Sequence, residues 1–193
     1  DNRRKEISRL NGVYANLLTG SGVMVFNARA RLAGAHQVVL DGKTYSAKHV
    51  LIATGGTPFV PDVPGADLVV TSDAMFDLQP FPRRLLVVGG GYIACEFASI
   101  FKGLGAQVTQ LYRGEQILRG FDHEVRHFIA AEMRKSGVDL RLGADVVSVR
   151  HTGQGREVTI RTGGDDGVET TLLADTILYA TGRVPHVRGL GLE

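Results

Sequence analysis

An α/β fold, a parallel sheet carrying an antiparallel meander, is predicted from three features of the sequence. Residues 83–113 pass from an apolar run through three glycines into a helical pattern and out to a second apolar run, which is the order of a βαβ unit. The runs at 50–53 and 85–88 have no alternating polar position, as expected of strands covered on both faces. Between 138 and 173, short apolar runs are separated by glycine-rich turns, the mark of a meander. The 193 residues, 44% hydrophobic and 22% charged, suit one large domain or one domain plus part of another.

In chain order, DNRRKEISRLNGVYANLL sets Ile7, Leu10, Val13 or Tyr14, and Leu17 at helical spacing and predicts an amphipathic helix. Asp1 leads directly into Asn2, Arg3, Arg4 and Lys5 without a capping signal, so the start is expected to lie inside a longer polypeptide. Strands are expected at 23–26, 38–40 and 50–53, punctuated by Gly34 and by Asp41-Gly42, a hairpin signal. Pro58, Pro61, Pro64 and Gly65 then exclude helix interior and central strand, which makes this stretch a connector and a domain boundary. The next strand is 85–88. Ile93, Phe97, Ile100, Phe101 and Leu104 form the apolar stripe of a helix stopping at Gly103 or Gly105.

Val108 and Leu111 mark a second strand. Asp122 is expected to cap a second helix with Val125, Phe128, Ile129 and Met133 on one face and Gly137 as its stop. Runs at 138–142, 146–149, 158–161 and 171–173 make the meander, and a last strand at 176–180 ends in Thr181-Gly182-Arg183. HVLIATGG at 49–56 and DTILYATGR at 175–183 echo one another, as a paired exit and return between two domains would produce.

Charge excludes some functions. Twenty-two basic against 20 acidic side chains leave a net +2, too near balance to draw nucleic acid or a membrane surface, so any anion site must be local. One cysteine forms no internal disulfide, and no apolar run or leader-like segment stands out, which suits a reducing, soluble, cytoplasmic setting.

Gly89-Gly90-Gly91-Tyr92-Ile93-Ala94 fits G-x-G-x-x-A between a strand and a helix, the context that gives this pattern its meaning. One glycine permits the tight turn, another lets a pyrophosphate approach the backbone, and the small sixth residue allows close helix packing. The helix N-terminus offers free N–H donors to the phosphates. The alternative is a tight turn with no ligand. An NAD-binding unit usually carries an acid about 20 positions on, for the ribose 2′-hydroxyl. Here the second strand ends Leu111-Tyr112-Arg113, and Arg119 follows in the same loop. Two guanidinium forks suit a 2′-phosphate, so NADPH is expected in place of NADH; the alternative is that both arginines are solvated surface groups. Glu96 shares a helix face with Tyr92 and is either a surface residue or an orienting group at the site. Cys95 reads as a buried filler, and His123 and His127 as exposed residues without a third metal ligand.

RLNGVYANLL, HVLIATGGTPFVPDVPG, VVGGGYIACEFASIFKGLGAQVTQLYR, ILRGFD and YATGRVPHVRGLGLE occur in this order. With them the chain resembles, over essentially its whole length, an internal stretch of the glutathione reductases of the FAD-containing pyridine nucleotide-disulfide oxidoreductase family. The resemblance implies a Rossmann-like NAD(P)-binding domain at 56–185 inserted in an FAD/NAD(P)-binding domain. Residues 1–55 would be the latter part of the first FAD segment, and 186–193 its return. It implies NADPH and FAD as cofactors, Tyr92 as an aromatic gate over the flavin, and Glu96 beside the nicotinamide. Ile93 and Gly182 would line the NADPH path, Arg113 and Arg119 would hold the 2′-phosphate, and Ala30, Thr54, Gly55 and Arg183 would lie near FAD. Ala28 stands where the family has a glycine. In the whole family enzyme, NADPH would reduce FAD, FAD a cysteine pair, and the pair glutathione disulfide, in a homodimer built through another domain. The FAD fingerprint, the cysteine pair and that domain have no counterpart in this sequence, so the chain alone is not expected to complete the reaction. Trypanothione, mercuric and lipoamide reductases are the neighbouring alternatives, and a stand-alone NADP-binding module is the alternative from another class.

Overall fold

The computed structural model describes residues 2–164 and 166–192. Asp1, with the reading of the chain start placed on it, lies outside the described residues. The chain divides into two compact units, residues 1–54 with 187–193, and residues 55–186.

The first unit begins with α1 (Asn2–Gly20), whose apolar residues recur at helical spacing but are not buried: Ile7, Leu10, Val13, Tyr14 and Leu17 are all exposed. Then β1 (Arg31–Gly34), β2 (Gln37–Leu40) and β3 (Lys43–Ser46) form an antiparallel sheet in that order. Asp41 and Gly42 both have positive φ, 47° and 76°, which is the turn the Asp-Gly pair predicts. The end of the chain joins this unit, with Leu32 N–H donating to the Leu190 carbonyl at 2.7 Å. The strands expected at 23–26 and 50–53 are not formed. Neither segment pairs with a strand among the described residues, and Leu51 is 88% exposed. An apolar run becomes a strand only when a neighbour completes its hydrogen-bond ladder.

The second unit holds β4 (Gly56–Pro58), β5 (Val70–Thr71), β6 (Arg84–Val88), α2 (Tyr92–Gly103), β7 (Gln107–Tyr112), α3 (His123–Lys135) and β8 (Asp139–Leu142). It continues with β9 (Ala144–Thr152), β10 (Gly155–Thr162), β11 (Val168–Ala174), β12 (Thr176–Tyr179) and β13 (Arg183–Pro185). A five-stranded sheet runs β5-β12-β6-β7-β8 with every pairing parallel. The meander β9, β10, β11 is antiparallel, and β13 pairs antiparallel with β4. The strand β8, which the sequence pattern grouped with the meander, belongs to the parallel sheet.

The parallel sheet is covered on both faces. Leu85 and Val87 of β6 and Leu178 of β12 face α2 and α3, packing with Ala94, Phe97, Phe101 and Met133. Leu86 and Val88 with Ile177 and Tyr179 pack against Val146, Val149, Val158 and Ile160 of the meander. This two-sided burial explains the unbroken apolar runs, and each such side chain contributes about 1.5–3 kcal/mol on leaving water. The helix stripes are narrower than their periodicity suggests. Ala94, Cys95, Phe97, Ala98 and Phe101 are the buried residues of α2, while Ile100 and Leu104 are exposed. On α3, Ala130 and Met133 are buried, while Val125 and Phe128 are exposed. Small residues decide these contact lines because they let helix and sheet approach closely. Asp122 caps α3 through Oδ1, which accepts from Glu124 N–H at 2.9 Å and Val125 N–H at 3.1 Å.

Candidate functional site

From β6 the chain moves outward to β7 and β8, then returns through the meander to place β12 on the other side of β6. Strand order reverses between β12 and β6, and in open parallel sheets ligands bind outside the carboxyl ends of the strands at such a point. A cleft of about 450 Å³ lies there, lined by Gly89, Gly90, Gly91, Tyr92 and Ile93 after β6, by Tyr112 at the end of β7 with Arg113 and Arg119 beyond it, and by Thr181, Gly182 and Arg183 after β12.

The turn after β6 needs its glycines for distinct reasons. Gly89 has φ 138°, and a Cβ there would sit 2.3 Å from the Ala180 carbonyl oxygen, so the backbone just after β12 packs directly on this turn. A Cβ on Gly90 would meet the Tyr112 ring at 2.5 Å, whereas one on Gly91 would meet nothing within 4 Å. Gly91 is therefore the open position from which a ligand can approach. It also begins α2 without a side-chain cap, so the first N–H groups of that helix remain available as donors. The sixth residue of the pattern, Ala94, is fully buried against the sheet. Gln110, which the sequence pattern did not single out, braces the turn from beneath: its Nε2 donates to the Gly89 carbonyl at 2.9 Å.

Arg113 and Arg119 are exposed side chains that line the cleft. Arg84, Arg141, Arg150 and Arg161 pair with Asp175, Asp139, Glu157 and Glu169, but Arg113 and Arg119 pair with no carboxylate among the described residues. The carboxylate that does line the cleft is Asp145, whose Oδ1 accepts from Val146 N–H at 2.9 Å. Its charge adds to burial in pushing the Tyr179 phenol, in the same wall, up to about 12.

The structure thus gathers Gly89, Gly90, Gly91, Tyr92, Ile93, Arg113, Arg119, Gly182 and Arg183 around one space. Glu96 is exposed on α2 one turn beyond Tyr92 and does not line it. Gly55 opens the second unit away from the cleft, its carbonyl accepting from His186 N–H at 2.9 Å. Arg183 donates from Nη2 to the Gly56 carbonyl. Ala30 and Thr54 belong to the other unit. Cys95 is 6% exposed, and burial raises its thiol above the ordinary range, so it is poorly placed as a nucleophile. His123 and His127 are exposed with ring centroids 4.2 Å apart, His127 Nδ1 lying 2.9 Å from the His123 carbonyl oxygen.

Sequence reasoning missed Tyr112, whose ring lies between Gly90 and Gly114; the readable signal is a glycine two residues after the aromatic. It also missed Asp145 and the cleft-lining residues Pro58 and Phe59 of the connector, which come from distant parts of the chain and leave no local signal.

The site has the parts a dinucleotide requires: an open glycine before a helix N-terminus for a pyrophosphate, and guanidinium groups beyond the adjacent strand, without a carboxylate partner among the described residues, for a further anion. The chain is 50% identical over 188 residues to a glutathione reductase of Burkholderia cepacia, covering 97% of this chain and 40% of that protein. It is 41% identical over 194 residues to a chloroplastic/mitochondrial glutathione reductase of Pisum sativum, covering 100% of this chain and 34% of that protein. The chain therefore spans about two-fifths or less of the length of these curated relatives. Among solved structures, the HOCl-induced flavoprotein disulfide reductase RclA from Escherichia coli superposes with a TM-score of 0.80 at 29% identity, covering 98% of this chain and 43% of that one. The family model for pyridine nucleotide-disulphide oxidoreductases matches residues 1–193, and the chain belongs to that family.

Proposed function

We propose that the second unit is the NADPH-binding domain of an FAD-dependent disulfide reductase whose substrate is glutathione disulfide, and that the first unit is part of the FAD-binding domain. The observation that carries this reading is the pair of guanidinium groups, free of carboxylate partners among the described residues, in the cleft that holds the glycine turn. The N–H groups at the start of α2 would receive the pyrophosphate, and Arg113 and Arg119 the 2′-phosphate. Tyr92, 54% exposed at the mouth of the cleft, would gate the nicotinamide end, with Ile93 and Gly182 along the path. Glu96, one turn further on the exposed face of α2, would act toward the nicotinamide amide. When bound, NADPH supplies a hydride and FAD accepts it. Ala30, Thr54, Gly55 and Arg183 belong to the flavin side of this reading. The names of the relatives support glutathione disulfide as substrate. A homodimer formed through another domain and a reducing, cytoplasmic setting complete the proposal. The burial of the single cysteine is compatible with that setting, as is the absence among the described residues of any helix long and apolar enough to cross a membrane.

The test is a titration with NADPH against NADH. Arg113→Glu combined with Arg119→Ala is expected to weaken NADPH at least about a hundredfold, the worth of two charged hydrogen bonds, and to leave NADH within about threefold. Equal losses for the two coenzymes would remove the assignment.

A further inference from the structure

The loop from Arg113 to Phe121 joins β7 to α3 without helix or strand of its own, yet it carries both arginines that the NADPH reading assigns to the 2′-phosphate. Its fastenings are few. Ile117 and Leu118 are buried, and Leu118 N–H donates to the Gly90 carbonyl at 2.6 Å, which ties the loop to the glycine turn. Gly143 N–H donates to the Gly114 carbonyl at 3.1 Å, and a further tie comes from α3. Arg126 Nε donates to the Ile117 carbonyl at 2.8 Å and its Nη2 to the Gln116 carbonyl at 2.9 Å. One guanidinium fork thus holds two consecutive peptide carbonyls just before Leu118 and Arg119. The side chain is half-buried and lines a second basin together with Arg113, Arg119, His123 and His127.

Two physical arguments give this contact a purpose. A cation in the first turn of a helix opposes the helix dipole, so Arg126 is not there for the sake of α3. A lysine would keep the charge, but its compact ammonium on a flexible stem lacks the rigid fork whose separate nitrogens meet the two carbonyls in fixed geometry. We infer that Arg126 is a positioning residue for coenzyme selection: by clamping the Gln116 and Ile117 carbonyls it orders the loop and sets Arg119, and through it the Arg113/Arg119 pair, in place for a 2′-phosphate. The inference rests on the NADPH reading above and names a residue that acts on that site without touching the coenzyme.

The experiment uses the full chain as wild type, Arg126→Lys and Arg126→Met. NADPH and NADH affinities are measured by fluorescence titration, and amide exchange over 116–119 is measured without coenzyme. Arg126→Met should weaken NADPH about tenfold, about the worth of one charged hydrogen bond, and leave NADH within about twofold. Arg126→Lys should lose at least about threefold for NADPH, because charge alone does not restore the clamp. Exchange at 116–119 should quicken in both variants. Unchanged NADPH affinity in Arg126→Met, a wild-type Arg126→Lys, or an equal loss for both coenzymes would each overturn the inference. A wild-type chain that does not prefer NADPH would overturn the underlying reading, and the inference about coenzyme selection with it, even if exchange showed the clamp to be real. A preference for NADPH that survives both substitutions would sink the inference alone.

Discussion

Gly90→Ala isolates the contact between the glycine turn and Tyr112. Gly90 does not have a left-handed φ, so alanine introduces no backbone strain of the kind expected at Gly89. The added methyl would lie 2.5 Å from Cγ and Cδ2 and 2.7 Å from Cδ1 of Tyr112. Carbon atoms in ordinary contact are about 3.5–4.0 Å apart, so one partner must move by about 1 Å. The turn is the stiffer partner. Gly90 is buried, its carbonyl accepts from Leu118 N–H, and Gln110 holds the neighbouring Gly89 carbonyl, whereas Tyr112 is only half-buried. The ring is expected to yield. Overpacking of this kind costs about 1–3 kcal/mol, or about 3–9 °C in melting temperature for a chain of this length. Because Tyr112 lines the cleft, NADPH should also weaken about tenfold or more. Thermal melts and coenzyme titrations of Gly90→Ala, Tyr112→Ala and the double variant complete a cycle, in which removal of the ring should recover at least about 1 kcal/mol. A Gly90→Ala protein that melts and binds like wild type, or strictly additive losses in the cycle, would refute the reasoning.

Two further outcomes follow from the opposite end of the sheet and from its interior. The Asp175 carboxylate accepts from Arg83 N–H at 3.0 Å, Arg84 N–H at 2.8 Å and Arg84 Nη2 at 2.6 Å, at the amino ends of β6 and β12. Burial alone would raise its carboxyl, but the hydrogen bonds and charge of Arg84, with the backbone N–H groups, outweigh burial and hold it below the ordinary carboxylate range. A group depressed in the folded state contributes stability that is present above the unfolded-chain value near about 4 and is lost as pH falls toward the folded value. Asp175→Asn should therefore cost about 1–3 kcal/mol in urea unfolding at neutral pH, flatten the acid limb below about pH 4, and leave NADPH binding unchanged; a full-strength acid limb would contradict this. Cys95, buried behind the glycine turn, should react with a thiol reagent at least about a hundredfold more slowly in the native chain than in denaturant, and labelling at the denatured rate would show that its burial is wrong.

Much of the site could be read in advance because its signals are local. The glycine turn announces itself between an apolar strand and a helix, Arg113 stands where the strand-to-helix spacing puts the end of β7, and Arg119 follows in the same loop. Asp122 as a cap and Asp41-Gly42 as a hairpin are matters of a few consecutive dihedrals. What was misread depended on distant partners. Residues 23–26 and 50–53 are as apolar as β6, yet pair with no strand among the described residues. Ile100 and Phe128 keep helical period but face outward, since periodicity gives a face and not what covers it. Tyr112 over Gly90, Gln110 under Gly89, and Asp145 in the cleft wall are contacts between segments that the linear order separates.

The sequence by itself determined the α/β class, the βαβ unit with its phosphate-type turn, and the basic character of the position beyond the second strand. These follow from side-chain period, glycine stereochemistry and charge type, each set within a few residues. Only the tertiary structure decided that β12 returns beside β6 to create the cleft, that β8 joins the parallel sheet, and that Arg126 reaches back to hold the arginine loop. Each of those depends on which surfaces meet once the chain has folded, and a linear pattern holds no measure of that proximity.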